Sequence, residues 1–429
     1  MSGKGVCFTP ALARILPLDS ADMKFLFRRP KAPSCEKVVA GIISKVQSEG
    51  DSALEEYAKS LDRVERGYSV RVPKADIGSA YGETPSELVA ALKFAAANIR
   101  EVCEKTKPKD KTVATAYAKI TQKAVPLDSV GIYAPGGRAA YPSTVLMCAI
   151  PARVAGVRRI ALCSPPPVPA TILVAAEVCG IEEVYAVGGA QAIAAMAHGT
   201  MTVPKMDKIV GPGNQFVTEA KRQVRGFGVD IDMLAGPTEI FIVADGSSNA
   251  AWVAADTLAQ LEHGPDSAAM VITTEEMAGK VSVELEKQLE ALPRREIAEK
   301  SLKNSAILTT DFSDLRAIAD VINSYAPEHL ELQTRMNAKL LSLVRNAGAV
   351  FMGSQSCEAF GDYCAGSNHV LPTGGSVRFS SCLSVAAFTK VMEVVEVYNE
   401  KKLARNSAVL ARWEGLEGHA RSAEKRAGK

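Results

Sequence analysis

The 429-residue sequence has no uninterrupted apolar run of about 18 or more residues, so nothing in it reads as a membrane span. It has no excess of one charge: 50 Lys+Arg face 48 Asp+Glu, which argues against a nucleic-acid surface spread over the molecule. The opening MSGKGVCFTPALARILP lacks the apolar core and cleavage site of a signal peptide, so a cytoplasmic location is expected. No candidate strand is followed by a full G-x-G-x-x-G, and both the G-x-S-x-G elbow and the P-loop are missing. Serine hydrolysis and ATP chemistry therefore have no support. The nine cysteines are odd in number and irregularly spaced, as in a reduced intracellular enzyme. Cys357 and Cys364 lie seven apart with no second pair to complete a zinc ribbon, and Cys148 and Cys163 read as packing residues. Histidine is scarce, with only His198, His263, His329, His369 and His419.

What is present points to an α/β enzyme. The length exceeds one ordinary core, so two or more domains are expected. The first hundred residues read as helices, with TPSE (84–87) as a capping box, Pro85 at the first helical position and Asp51 as a further cap. From Ser129 the texture changes. The runs SVGIYAP, RRIALCS, EEVYAVG, DKIVG and VDIDML alternate with helical segments, which implies parallel strands joined by crossover helices. A second series follows in EIFIVAD, AAMVITT, SAILTT and AGAVFMG, its sheet formed partly before and partly after the first. The tail from about Val391 reads as helical and charged.

Three strand ends carry paired glycines: APGG (134–137), VGGAQ (187–191) and VGPGN (210–214). Ligands in open parallel sheets lie at such ends, where glycine admits close backbone approach and helix N-termini attract phosphate. Tyr133, Gln191 and Asn214 are planted in these turns, although the same turns would suit any α/β protein. Elsewhere, AQLEHGPDS (259–267) puts Gln260 and His263 three apart on one helical face. Asp362 and His369 lie in FGDYCAGSNH, and Glu414 and His419 in EGLEGHA. A mixed nitrogen and oxygen donor set without thiolates suits zinc, manganese or cobalt in a site with room for substrate. The plain alternative is that Gln260 caps a helix and His263 donates to a carbonyl. In YAPEHLEL, Glu328 and His329 are adjacent, as two groups handling successive proton transfers would be; the alternative is a helix start after Pro327.

Taken together, GIYAPGGRAAYPSTVLM, VGGAQAIAAMAHGT, KIVGPGNQFVTEAK, DMLAGPTEIFIVAD, LEHGPDS, APEHLE, GDYCAGSNHVLPTGG and EGLEGHA resemble the histidinol dehydrogenase family in order and spacing, from about residue 30 onward. The resemblance implies two Rossmann-like domains, atypical in lacking G-x-G-x-x-G, with N- and C-terminal helical extensions. It implies zinc-dependent oxidation of L-histidinol through L-histidinaldehyde to L-histidine, with two NAD+ reduced, at the end of histidine biosynthesis. Carried over by position, Gln260, His263, Asp362 and His419 are the expected ligands of one Zn2+ per subunit. Glu328 and His329 are the expected catalytic pair. Thr238, Gln260, His263, His329, Asp362, His369, Glu414 and His419 are the expected substrate contacts, and Tyr133, Gln191 and Asn214 those to NAD. Glu414 and His419 would come from the partner of a homodimer with shared active sites. Thr238 stands where the family commonly has serine.

The implied division is an extension over 1–28, a first α/β domain over 29–130 plus 239–382 carrying metal and catalytic residues, an NAD domain over 131–238, and an exchanged tail over 383–429. The same scaffold acting on another small polar alcohol is the main competing expectation; a zinc hydrolase or a non-catalytic binding protein fits fewer of the motifs.

Overall fold

The computed structural model describes residues 14–20, 34–64, 68–136 and 140–427. Most of the expected extension over 1–28 lies outside the described residues, as does Gly137 of the APGG turn.

Strand β1 (Arg14–Pro17) is followed by helices α1 (Glu36–Glu49), α2 (Asp51–Ser60), α3 (Lys74–Glu83) and α4 (Ser86–Thr106). Strands β2 (Lys111–Ala114) and β3 (Ala118–Pro126) lead into the first alternating series. It runs β4 (Ser129–Tyr133), α5 (Pro142–Ala155), β5 (Arg159–Ser164), α6 (Ala170–Val178), β6 (Glu183–Ala186), α7 (Gly189–His198), β7 (Lys208–Val210), α8 (Gln215–Val224) and β8 (Asp230–Ile231). The second series begins with β9 (Glu239–Ala244), α9 (Ala250–Leu261), β10 (Ala268–Thr273), α10 (Glu275–Ala291), α11 (Arg295–Ser301) and β11 (Ala306–Thr309). It continues with α12 (Leu315–Tyr325), β12 (His329–Gln333), α13 (Asn337–Leu343), β13 (Ala349–Met352) and α14 (Glu358–Tyr363). Strand β14 (Thr389–Val397) precedes the helices α15 (Glu400–Trp413) and α16 (Glu417–Arg426).

The first series forms a five-stranded parallel sheet in the order β6-β5-β4-β7-β8. The second forms a six-stranded parallel sheet in the order β1-β11-β10-β9-β12-β13, so its β1 edge does precede the other sheet in sequence. Both are buried on two faces, as parallel sheets with crossover helices must be. On β4, Val130 and Ile132 point to one core with α3, α4, α5 and α6, while Tyr133 points to the other with α1, α2, α7 and α8. On β9, Ile240 and Ile242 face α9, α10 and α11, and Phe241 and Val243 face α12 and α13.

Several local expectations are corrected. Helices α1–α4 pack on the five-stranded sheet, so residues 36–106 belong by their core with the first series and not with 239–382. Val370, Leu383, Val385 and Phe388 join that same core. The capping box does not form. Pro85 precedes α4 without a side-chain cap, and Thr84 Oγ1 donates backward to the Ala80 carbonyl at 2.9 Å. Asp51 is the first residue of α2 behind Gly50, and its carboxylate accepts from the Thr202 hydroxyl at 2.5 Å. The tail around Val391 is strand β14, paired antiparallel with β3 in a three-stranded sheet with β2. Beyond it, α15 and α16 pack on each other through Ala408, Ala411 and Ala420, and Trp413 is 89% exposed.

Candidate active site between two sets of strand ends

In each sheet the first strand of its series sits beside the strand that reverses the order, β4 beside β7 and β9 beside β12. Such reversal points open crevices in parallel sheets. The segment 232–238 runs from the carboxyl end of β8 directly to the amino end of β9. It is tied down along its length. The Ala235 carbonyl accepts from Thr218 Oγ1 at 3.2 Å, and Gly236 N–H donates to Thr373 Oγ1 at 2.5 Å.

At the five-stranded sheet, the Gly211–Asn214 turn crosses the end of β4. Gly211 has φ +114°, and a Cβ there would collide with the Tyr133 carbonyl oxygen, so only glycine fits. The Tyr133 hydroxyl accepts the Gly189 N–H at 3.1 Å, which joins a second turn to the same residue. Asn214 caps α8: its Oδ1 accepts from Phe216 N at 3.0 Å and Val217 N at 3.1 Å, while the side chain itself is exposed. Gln191 is 3% exposed, inside the first turns of α7. Tyr133, Gln191 and Asn214 thus lie at the strand ends of one sheet, Tyr133 touching both the Gly189 and the Gly211 turns.

At the six-stranded sheet the polar groups gather at the amino ends of β9 and β12. Glu328 and His329 enter β12, not a helix, and both are buried. Glu328 Oε2 accepts from the Thr238 hydroxyl at 2.6 Å and from Glu239 N at 3.1 Å. Burial pushes its carboxyl up to about 7, against the pull of His329 and these two donors. Gln260, at the end of α9, touches Thr238 Oγ1; with its amide nitrogen turned to Glu358 it donates to both carboxylate oxygens at 2.7 and 2.6 Å. Its oxygen then accepts from Glu239 N at 3.2 Å. His263 lies just past the helix end, lining a pocket of about 350 Å³ with Leu92, Tyr141 and Tyr363.

The ring of His329 is the centre of this region. Nδ1 lies 3.6 Å from Glu358 Oε1 and 3.7 Å from Glu328 Oε2, and Nε2 lies 3.6 Å from Asp362 Oδ1. Both nitrogens are buried without a hydrogen-bond partner. Burial alone would lower the imidazole pKa, but Glu358, Glu328 and Asp362 outweigh it and hold it well above its usual value. Glu358 is raised, chiefly by burial, and Asp362 is lowered: burial opposes its ionisation, and the hydrogen-bonding reach and charge of His329 overcome that, helped by His369 and His263.

Glu358 was not among the residues expected from sequence. Its signal was its position four before Asp362, which puts both on one face of α14. Behind it, Glu331 Oε1 accepts the Glu358 N–H at 2.9 Å, and Gln333 Nε2 donates to Glu331 at 2.8 Å and to Asp256 at 3.2 Å. Burial pushes Glu331 up to about 8, with Asp256 adding to it.

The donor chemistry here fits a divalent cation. His263 Nδ1 donates to the carbonyls of Ala259 at 3.1 Å and Gln260 at 3.3 Å, which leaves the lone pair on Nε2, the tautomer that could bind a cation there. Ligating atoms of His329, Glu358 and Asp362 all lie within 4.8 Å of one another. His369 has both nitrogens engaged, Nδ1 donating to the Asp362 carbonyl at 2.9 Å and Nε2 meeting Thr144 Oγ1 at 3.1 Å. Within one chain the region thus gathers Thr238, Gln260, Glu328, His329, Glu358, Asp362 and His369. Glu414 and His419 are exposed on the α15–α16 hairpin, whose buried residues are only its own. No described helix is long and apolar enough to cross a membrane.

Comparison with known proteins agrees with this geometry. The family model for histidinol dehydrogenase matches residues 28–427. A histidinol dehydrogenase of Moorella thermoacetica is 48% identical over 400 residues, covering 90% of this chain and 93% of that one. One from Vibrio parahaemolyticus is 44% identical over 390 residues, 90% of each chain. The crystal structure of histidinol dehydrogenase from Elizabethkingia anophelis superposes with a TM-score of 0.93 at 36% identity, covering 97% of this chain and 98% of that one. By these matches the chain belongs to the histidinol dehydrogenase family of oxidoreductases.

Proposed function

We propose that this protein oxidises L-histidinol to L-histidine in two successive steps without releasing the aldehyde, as a cytoplasmic homodimer. The observation that carries the reading is the buried His329 ring, with both nitrogens unpaired, beside a Glu328 carboxyl poised near neutrality.

His329 takes the hydroxyl proton of the alcohol as its carbon loses hydride. NAD+, in the crevice of Tyr133, Gln191 and Asn214, supplies the hydride acceptor in each step. Glu328 then removes a proton from the water that attacks the bound aldehyde, while His329 returns its proton to the carbonyl oxygen, which completes the hydrate and frees the ring. The resulting hydrate again gives an O–H proton to His329, and a second hydride leaves. Thr238 holds Glu328 in place through its hydroxyl. In the free site Glu358, Glu328 and Asp362 raise the proton affinity of the His329 ring above its usual value. A cation held by Asp362 would weaken that pull and leave His329 freer to accept a proton.

His263 and Asp362, with Gln260 turned outward and the partner's His419, would hold one zinc ion. Bound there, zinc supplies a Lewis-acidic anchor for the substrate's imidazole and amine. Glu414 and His369 complete the substrate contacts. The exposed hairpin that bears Glu414 and His419 supports their delivery to the site of a second copy.

Purified protein with zinc, NAD+ and L-histidinol should yield two NADH for each histidine. Turnover of another alcohol with none of histidinol would replace this reading by a related dehydrogenase. His263→Ala should lower zinc content by elemental analysis; unchanged zinc would remove His263 from the ligand set.

A further inference from the structure

Helix α8 buries Val217, Ala220 and Val224 against the five-stranded sheet, and the same face carries Lys221. A lysine there is costly unless its charge is fully partnered. Its partner is Asp232, just past β8; the side chains are 2% and 1% exposed. Each member also holds one of the two backbone polar groups of the same residue, and so one of the two peptide units that meet at its Cα. Lys221 Nζ donates to the Gly211 carbonyl at 2.9 Å, and Asp232 Oδ2 accepts the Gly211 N–H at 2.7 Å. Asp232 Oδ1 accepts the Met233 N–H at 2.6 Å as well. Gly211 is the residue whose positive φ brings its turn against Tyr133, and three residues later Asn214 opens α8.

We propose that the buried Lys221–Asp232 ion pair is a positioning device for the dinucleotide: it clamps the backbone of Gly211 and so fixes the turn on which the cofactor's anionic and polar groups rest. The reasoning is one of elimination within the fold. Pressed against Tyr133 at φ +114°, Gly211 lies just past the last residue of β7, outside the ladder pairs of that strand. The partners of its amide and carbonyl must then come from side chains, and a charged donor and a charged acceptor hold a peptide more tightly than neutral ones. An apolar pair would pack α8 equally well and leave the turn unheld. Neither residue reaches the crevice surface, so both act through Gly211 and are positioning residues. The inference rests on the reading that NAD+ occupies the β4/β7 crevice.

The test measures NAD+ dissociation constants without turnover, and steady-state constants, on the full-length zinc-loaded enzyme. Because stripping one member of a buried pair can unfold a domain, the deciding variant is K221M/D232L, which removes both charges and keeps the packing. D232N is measured beside it. The proposal expects at least a tenfold weaker Kd and raised KM for NAD+ in the folded variants. The KM for histidinol, and kcat at saturating NAD+, should stay within about twofold, since reacting groups at the other sheet are untouched. K221R, which keeps the charge, should recover most of the affinity. A folded double variant with unchanged NAD+ affinity, or one that loses kcat with NAD+ affinity intact, overturns the proposal. A double variant that does not fold also overturns it, since the pair would then be maintaining the domain itself. N214A separates the two readings. If it leaves NAD+ binding untouched, the crevice is wrongly assigned; if it weakens binding while the ion-pair variants do not, only the clamp fails.

Discussion

The two sheets use opposite ends. The five-stranded sheet presents the carboxyl ends of β4 and β7, where Gly211, Tyr133 and Asn214 form a turn-rich crevice with its charges buried behind the surface. The six-stranded sheet presents the amino ends of β9 and β12, where Thr238, Glu328 and His329 begin their strands with titratable groups in front. A carboxyl end in an α/β sheet carries helix N-termini and so favours phosphate. An amino end receives the carboxyl ends of helices such as α9, which favour cations. The linker 232–238 joins the two within seven residues. On the proposed function, hydride acceptor and proton acceptor are divided by the polarity of the sheets that carry them.

That division can be broken experimentally. The largest effect belongs to His329→Asn, which should lower both oxidation steps by about 10³-fold while NAD+ affinity holds. Single-turnover NADH formation from histidinol and from added aldehyde checks it, and loss in only one step would contradict a shared base. Next is Gly211→Ala, whose Cβ meets the Tyr133 carbonyl. It should weaken NAD+ binding by tenfold or more and leave zinc content unchanged; equal loss of zinc would mean that the two regions are not separable.

Glu328→Gln should slow aldehyde oxidation by about 10²-fold, and the alcohol step less. In the wild type the aldehyde step should rise with pH through about 7 as Glu328 ionises, and the variant should lose that limb. The sign for stability is opposite. A carboxyl raised from 4.5 to about 7 keeps its proton in the folded state while the unfolded chain has lost it, so folding stability falls as pH rises across that window. Relative to wild type, the variant should gain up to roughly 3 kcal/mol between the two limits in denaturant titrations. The smallest effect is Thr238→Ser, within about threefold on kcat because the hydroxyl to Glu328 is kept. Thr238→Val, which loses it, should shift the pH limb upward.

Much of this was legible in sequence, for a physical reason. Runs such as EIFIVAD are apolar at every position because β9 is covered on both faces, and the paired glycines mark turns that cannot carry a Cβ. Strand β12 was hidden because HLELQ carries Glu331 and Gln333 at buried positions, made tolerable only by Asp256 and the Glu358 backbone far away in sequence. β14 was missed because it is exposed and its partner β3 lies more than 260 residues earlier. The grouping of α1–α4 followed chain order, which says nothing about which of two sheets a helix covers. Eight motifs named the polar residues of the proposed site, but spacing does not reveal that Glu358 faces His329. Lys221 on the buried face of α8 was a signal in plain view, since an unpaired lysine among Val217, Ala220 and Val224 needs a hidden anion.

Tyr133 gives these details a mechanical consequence. Its carbonyl is the wall for Gly211 and its hydroxyl is the acceptor for Gly189, so two loops from either side of β4 share one fixed post. Neither loop can swing aside without losing its contact with that post, so a dinucleotide bound there, on the proposed reading, would rest on a floor that moves only as a whole.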